Sequence, residues 1–315
     1  MATWLITGGC GFIGSHLADA LLARGDRVRI LDDLSTGRRE QVSPLCEIVV
    51  GDVSRDGVVA HAMEGVDGCW HLAAIASVTR SNEAWVDTHR VNLTGSVQVL
   101  DAARRVGGGR RVPVVYASSA AVYGDHDVMP LEEGFPTRPL TAYGADKCGT
   151  ELHARVAGQA HGVPTLGLRF FNVYGPRQDP FSPYSGVISI FVRHILDRRP
   201  ITLFGDGRQT RDFVYVGDVV RFLMRAMERA NTNGPVYNVC SGRGLAIVEL
   251  ARTLFQVCGH RVEMGHAPAR AGDIRDSMGD PELAARQLGL RVETILESGL
   301  RQTLASGMRN QSRGL

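Results

Sequence analysis

Residues 3–21 read TWLITGGCGFIGSHLADAL. An apolar run at residues 4–7 leads into Gly8, Gly11 and Gly14, spaced three apart, and then into a helix-like segment. That order implies a strand, a tight turn and a helix whose first N–H groups lack partners within the helix. Gly8 permits the turn, Gly11 lets the backbone approach a pyrophosphate, and Gly14 lets helix and strand pack closely. The helix N-terminus adds a partial positive charge for phosphates. The next strand, VRILDD, ends on Asp32 and Asp33, about 18 residues after Gly14. A carboxylate there accepts ribose hydroxyls and repels a 2′-phosphate, which predicts NAD rather than NADP. Asp52, after the third strand-like run, either meets the adenine amine or stabilises a turn.

Working outward, VRILDD, CEIVVGD, CWHLAA, VPVVYASS and PTLGLRFF are short apolar runs, and amphipathic segments such as VNLTGSVQVLDAARRVG fall between them. The alternation predicts βαβ units: an α/β fold with a Rossmann-type doubly wound parallel sheet and helices on both faces. Beyond Gly175, loops rich in Gly, Pro, Asp and Arg take over, as in LFGDGRQTRD and HAPARAGDIRD. Loops of this kind build binding surfaces on a scaffold. The expected division is a dinucleotide-binding domain at 1–170 plus about 212–240. A smaller, interleaved C-terminal substrate lobe is expected at about 171–211 and 241–315.

Composition narrows the class. The chain has 315 residues, enough for one large core and an attached lobe, and its net charge of +2 gives no electrostatic case for nucleic acid or an anionic membrane. Six scattered cysteines with no C-x-x-C pair fit reduced thiols of a cytoplasm better than a disulfide framework or a zinc site. No secretory signal and no membrane-length apolar stretch are read, so the expectation is a cytoplasmic protein without a metal.

Tyr143 and Lys147 stand four apart in LTAYGADKCGTELHA. On a helix they share a face, and a nearby ammonium favours the phenolate. Taken alone, the pair reads rather as a surface Tyr beside a solvated Lys, since such pairs arise often by chance.

The ordered set TGGCGFIG, LDDLSTG, GDV, HLAA, YASSAAVYG, YGADK and RFFNVYGP resembles the extended short-chain dehydrogenases/reductases. More narrowly it resembles the nucleotide-sugar 4-epimerases, over about residues 2–300. The resemblance implies Tyr143 as catalytic base and acid, Lys147 on the nicotinamide ribose and beside the phenolate, and Ser119 hydrogen-bonding the sugar O4. Ser118 is read as locally satisfied, and Trp70 and His71 as core. The implied cofactor set is Gly8, Gly11, Phe12, Ile13, Gly14, Asp32, Asp33, Ser35, Thr36, Gly37, Asp52, Val53, Leu72, Ala73, Ala74, Asn92 and Phe170, with Tyr143 and Lys147. Asn92 is read as opening a helix, either as a cap or as a support of the site. The implied substrate set is Ser77, Ser119, Asn172, Gln178, Val187, Arg211, Asp273, Arg275 and Ser277.

The resemblance also sorts reactions. The 4,6-dehydratases place Asp and Glu directly after the hydroxyl residue, and the UDP-glucuronate decarboxylases carry a glutamate there. This chain has Ala120 and Ala121, which have no proton to exchange. C4 epimerisation of a UDP-hexose remains. Where glucose-restricted epimerases often carry a bulky Tyr, this chain has Ser277. With Gln178, Gly186, Ala76 and Ala120, it resembles epimerases that accept N-acetylhexosamines; the small residues are alternatively packing choices. Other readings left open are a UDP-glucuronate 4-epimerase, another NAD-dependent nucleotide-sugar enzyme, and a non-catalytic NAD(H)-binding sensor. A homodimer through helices starting near Val91 and Thr141 is expected, with Val97, Leu100 and Val156 serving either core or partner.

Overall fold

The computed structural model describes residues 1–55, 57–106, 109–179, 186–269 and 274–313. The chain divides into two compact units. The first comprises Met1–Gly124, Pro136–Phe170 and Val220–Tyr237; the second comprises Asp125–Phe135, Phe171–Val219 and Asn238–Leu315. The division differs from the expected one at three places: residues 125–135, 212–219 and 238–240 fall in the second unit.

The first unit is built on a seven-stranded sheet. Its strands are β1 (Thr3–Thr7), β2 (Arg27–Asp32), β3 (Glu47–Val50), β4 (Gly68–His71), β5 (Val114–Ser119), β6 (Thr165–Phe170) and, later in the chain, β10 (Val236–Val239). The order β10-β6-β5-β4-β1-β2-β3 reverses direction between β1 and β4. Pairings of β1 with β2 and β4, of β2 with β3, and of β5 with β4 and β6 are parallel. In a sheet of this kind ligands bind beyond the carboxyl ends of the strands at the reversal, where the Gly8 turn and the chain after His71 both emerge. Leu5, Ile6, Leu31, Cys69 and Trp70 on the central strands have no or almost no exposure, as strands covered on both faces require.

The helices are α1 (Phe12–Ala23), α2 (Val58–Met63), α3 (Val78–Glu83), α4 (Trp85–His89), α5 (Gly95–Arg105) and α6 (Ala142–His161). One expectation needs correcting: no helix opens at Val91 or Asn92. A π-helical turn, Arg90–Thr94, runs straight from α4 into α5, so Asn92 lies within a helical run that begins at Trp85. Such π turns interrupt the regular ladder and often mark functional sites. Of the three apolar positions read as core or partner, Leu100 is buried and Val156 is 53% exposed; Val97 is half-buried.

The second unit holds β7 (Asn172–Tyr174), β9 (Thr210–Tyr215), β11 (Gly244–Ala246) and β13 (Asp276–Ser277) in one small sheet. A parallel pair, β8 (Ile201–Phe204) with β12 (Met264–Ala267), accompanies it. Its helices are α7 (Val187–Leu196), α9 (Ile247–Cys258), α10 (Glu282–Leu288) and α11 (Leu296–Arg313), while α8 (Val216–Arg229) begins here and runs into the first unit. Its core gathers Ile188, Phe191, Ile195, Leu203, Leu250, Leu254 and Leu300. Among the described residues no helix is long and apolar enough to cross a membrane.

Candidate active site

The glycine turn has the shape the sequence demands. Gly8 sits at φ 71°, and an added Cβ there would stand 2.7 Å from the Ala73 nitrogen. A Cβ on Gly14 would run into the Gly8 carbonyl. A Cβ on Gly11 would meet only that carbonyl, at 3.2 Å, so the surface over Gly11 is open. Gly11 caps α1 with no side-chain bond, and the first turn carries no acid. Asp32, buried at the end of β2, accepts the Cys10 N–H at 2.9 Å and the Leu34 N–H at 2.9 Å. Burial pushes its carboxyl above the usual range, and these two N–H bonds pull it back. A carboxylate has about four acceptor sites, so capacity for ribose hydroxyls remains. Asp33 is exposed and is bound by Ser35. Ser35 and Thr36 are exposed, and Gly37 lies where a Cβ would touch the Asp32 carboxylate at 2.8 Å. Leu34, at φ 58°, holds a left-handed conformation that costs a non-glycine residue about 1–3 kcal/mol, in a loop that borders this cradle. An open glycine face, unclaimed helix N–H groups and a carboxylate at the strand end fit a dinucleotide.

Tyr143 and Lys147 lie on α6, whose N-cap Thr141 accepts the Gly144 N–H at 3.0 Å. The Lys147 ammonium is 5.7 Å from the Tyr143 ring centre and donates to the Ala117 carbonyl at 2.8 Å. Ser119 ends β5 and accepts the Ala121 N–H at 3.2 Å, which leaves its own O–H to give. Burial pushes the Tyr143 phenol up, and its hydrogen bond with Ser119 draws it down. Burial pulls Lys147 down to about 8 against the raising charges of Asp146 and Glu151. Burial thus resists both charged forms, and a phenolate at Tyr143 needs the nearby cation.

The remaining predicted positions of this unit divide clearly. Ser118 gives its hydroxyl to Glu151 at 2.5 Å. Trp70 is fully buried and donates to the Leu223 carbonyl at 2.9 Å. His71 is buried between Thr7, at 2.7 Å, and Ser96, at 2.9 Å. Burial, and then the charge of Lys147, lower it to about 3, so it is neutral. Asn92 grips the Ile75 backbone, accepting its N–H at 2.8 Å and donating to its carbonyl at 3.1 Å. The Leu72 N–H donates to the Thr7 carbonyl at 3.0 Å and the Ala73 N–H to the Thr7 hydroxyl at 3.3 Å, which leads the chain from β4 toward Ala74. Asp52 accepts Ser54 at 2.8 and 2.7 Å and so closes a turn. Val53 is buried, and Phe170 pairs with Ser119 in the β5–β6 register. Ser77 is buried and caps α3 by accepting the Arg80 N–H at 3.0 Å.

Sequence reasoning missed Glu151 and Arg169, which form a nearly buried two-pronged ion pair at 2.8 and 2.7 Å. It also missed a compositional signal. Lys147 is the one lysine in the chain; every other basic side chain of the Lys+Arg total of 35 is arginine.

In the second unit, Asn172, Val187 and Arg211 line a cavity of about 400 Å³ together with Phe191, His194 and Phe204. The last three were not read from the sequence. The Arg211 guanidinium donates to the Thr210 carbonyl at 2.8 Å, and Ser277 pairs with Arg211 in the β13–β9 register. Asp212, fully buried next to Arg211, accepts Ser241 and Gly242 N–H groups and holds that turn. Gln178 stands beside Gly186, where an added Cβ would be 3.2 Å from its amide nitrogen. Arg275 is exposed and pairs with Asp206 through two bonds, at 2.9 and 3.1 Å. Asp273 lies outside the described residues.

Sheet order, glycine cradle and the Ser–Tyr–Lys group define a dinucleotide-dependent α/β protein. The model of the NAD dependent epimerase/dehydratase family matches residues 4–240. The chain belongs to this family, and its cofactor is NAD. A UDP-glucose 4-epimerase of Mycolicibacterium smegmatis is 36% identical over 308 residues, 95% of this chain and 96% of that one. The UDP-glucose 4-epimerase of Thermus thermophilus, solved with NAD, is 37% identical with a TM-score of 0.89, covering 96% and 98% of the two chains. The UDP-N-acetylglucosamine 4-epimerase of Methanobrevibacter ruminantium, solved with UDP-N-acetylmuramic acid, is 31% identical with a TM-score of 0.92, covering 98% and 99%. Similarity also extends to a dTDP-glucose 4,6-dehydratase of an Actinoplanes species at 33% identity and to a UDP-glucuronic acid decarboxylase of Arabidopsis thaliana at 32%.

Proposed function

We propose that this chain inverts C4 of a UDP-hexose, accepting UDP-GlcNAc and UDP-GalNAc as well as UDP-glucose and UDP-galactose. The observation that carries the reading is the turn after Ser119. Ala120 and Ala121 start the 3₁₀ turn that Ser119 caps. Methyl groups stand where water elimination or decarboxylation would call for a carboxyl group. NAD, when bound, supplies the means to take a hydride from C4 and return it. The chain's part is proton handling and grip. Tyr143 takes the O4 proton through Ser119, leaving a 4-keto sugar, and gives it back after the return. Lys147 stabilises the phenolate and holds the nicotinamide ribose. Gly8, Gly11, Gly14 and Asp32 hold the pyrophosphate and adenosine ribose. The second unit's cavity, with Arg211 and Asn172, takes the nucleotide diphosphate.

The small Ser277, the Gln178–Gly186 neighbourhood and the similarity to a UDP-N-acetylglucosamine 4-epimerase support the acetylated substrates. The reading includes a homodimer, since α6 exposes Leu152 and Val156 one turn apart. The test is a panel of nucleotide sugars assayed for C4 inversion with no added NAD. Inversion of the four UDP-hexoses is expected; elimination products, or unchanged sugars throughout, would overturn the reading. Ser277→Tyr is expected to cut turnover of the acetylated pair about tenfold or more and to spare the plain pair.

A further inference from the structure

Three successive turns of α6 grip three successive residues at the end of β5. Tyr143 bonds Ser119, Lys147 donates to the Ala117 carbonyl, and Glu151 accepts the Ser118 hydroxyl. Tyr143, Lys147 and Glu151 are spaced i, i+4, i+8, so one helix face carries all three. Glu151 is also held from β6. Arg169 meets it with two bonds, and its remaining arm donates to the Tyr123 hydroxyl at 2.9 Å, with the guanidinium 4.8 Å over the Tyr123 ring. Ser118 and Arg169 are register partners on β5 and β6, so the carboxylate spans both strands.

We propose that Glu151 is a positioning residue for the Tyr143–Lys147 pair: it fixes the register of α6 against the end of β5 and supplies a counter-charge to the buried Lys147 ammonium. The rest of Lys147's surroundings holds one other carboxylate, Asp146, which adds to the counter-charge but does not tie α6 to β5 and β6. Its own helix offers the Asp146 carboxylate, which His89 binds at 2.8 Å, and the Tyr143 phenol. From β4 comes His71, which is neutral, and from β5 the Ala117 carbonyl and the Ser119 hydroxyl. From β6 comes Arg169, which is occupied by Glu151. The lowering of Lys147 by burial, offset by Asp146 and Glu151, agrees with this assignment.

The inference rests on Tyr143 and Lys147 being the reacting pair, and its test separates the two. With one lysine in the chain, protein labelled at the lysine ε-carbon gives one side-chain signal whose pH titration reports Lys147 directly. In Glu151→Gln the Lys147 midpoint is expected to fall by about one pH unit. C4 inversion on UDP-glucose is expected to lose about tenfold in kcat with KM held. Glu151→Asp, which keeps the charge, is expected to recover most of the midpoint. An unmoved midpoint beside a lowered melting temperature would make Glu151 purely structural and overturn the proposal. So would unchanged kcat. If Glu151→Gln does not fold, Glu151→Gln with Arg169→Met removes both buried charges; loss of the cation offsets part of the effect, so a smaller fall of the Lys147 midpoint is expected, and no fall would overturn the proposal. An inactive parent whose midpoint shifts on Glu151→Gln would refute the proposed reaction while upholding the counter-charge. An active parent whose midpoint stays put would do the reverse.

Discussion

The Tyr143 region and the Arg211 region handle polar groups in opposite ways. Around Tyr143, hydroxyls, a carboxylate, an ammonium and a neutral imidazole are each held by at least one bond to strand or helix. Around Arg211 polar side chains (Asn172, His194, Gln209) are interspersed among aromatic and aliphatic ones, one guanidinium leans on a backbone carbonyl, and Arg275 faces solvent with Asp206. Fixed dipoles suit a step where charge develops at one oxygen. A wall whose polar groups are spread among apolar ones suits a grip on a nucleotide that leaves the sugar free to turn. Removal of one group should therefore cost turnover in the first region and affinity in the second.

The largest expected effect tests the first half of that contrast. Tyr143→Phe should lower kcat by roughly 10²–10⁴ while bound NAD, read from the absorbance of released cofactor, stays at the parent level. Loss of cofactor together with activity would show that the region binds rather than reacts. Arg211→Met tests the other half. It should raise KM by about 10–100-fold, roughly 1.5–3 kcal/mol for a charged hydrogen bond, with kcat near the parent value in initial-rate assays. A loss confined to kcat would erase the distinction between the regions.

A third experiment sharpens the contrast through stability. Lys147 is 3% exposed and loses its proton at about 8 when folded, against an ordinary 10.5. The unfolded chain thus binds more protons between these values, and stability rises as pH climbs from about 8 to 10.5. Below pH 8 the full cost of burial is present, roughly 3 kcal/mol, offset by about 1 for the bond to Ala117. Lys147→Met, without NAD, should then be more stable than the parent by about 2 kcal/mol at pH 7 in denaturant melts. The gain should vanish near pH 11; a gain that persists there would assign it to packing. The smallest effect is Thr141→Ala, which removes the α6 cap and should cost about 1 kcal/mol in the same melts.

The first unit was far more legible in the sequence than the second, for physical reasons. Strand, glycine turn and helix are local patterns, and Gly8, Gly14 and Asp32 are needed by neighbours close in the chain. The Tyr143–Lys147 spacing is likewise a single helix turn. The π turn at residues 90–94 carries no residue type that announces it. Glu151 and Arg169 meet across 18 residues and two elements, so no short motif contains them. Ser77 reads as a polar contact and is spent on a helix cap, because a buried hydroxyl takes the nearest unpaired N–H. In the second unit, Phe204, His194 and Phe191 reach the cavity from a strand and a helix in which only Val187 reads as a contact, since an apolar run looks the same whether a residue faces core or cavity.

The single lysine has a consequence for the outside of the molecule. Every basic side chain on the surface other than histidine is a guanidinium, which does not deprotonate in proteins. The surface therefore keeps its full complement of these cations as the medium turns alkaline. The one side-chain ammonium that can be discharged there is the buried one, so between about pH 8 and 11 the only positive side chain to titrate is the one beside Tyr143.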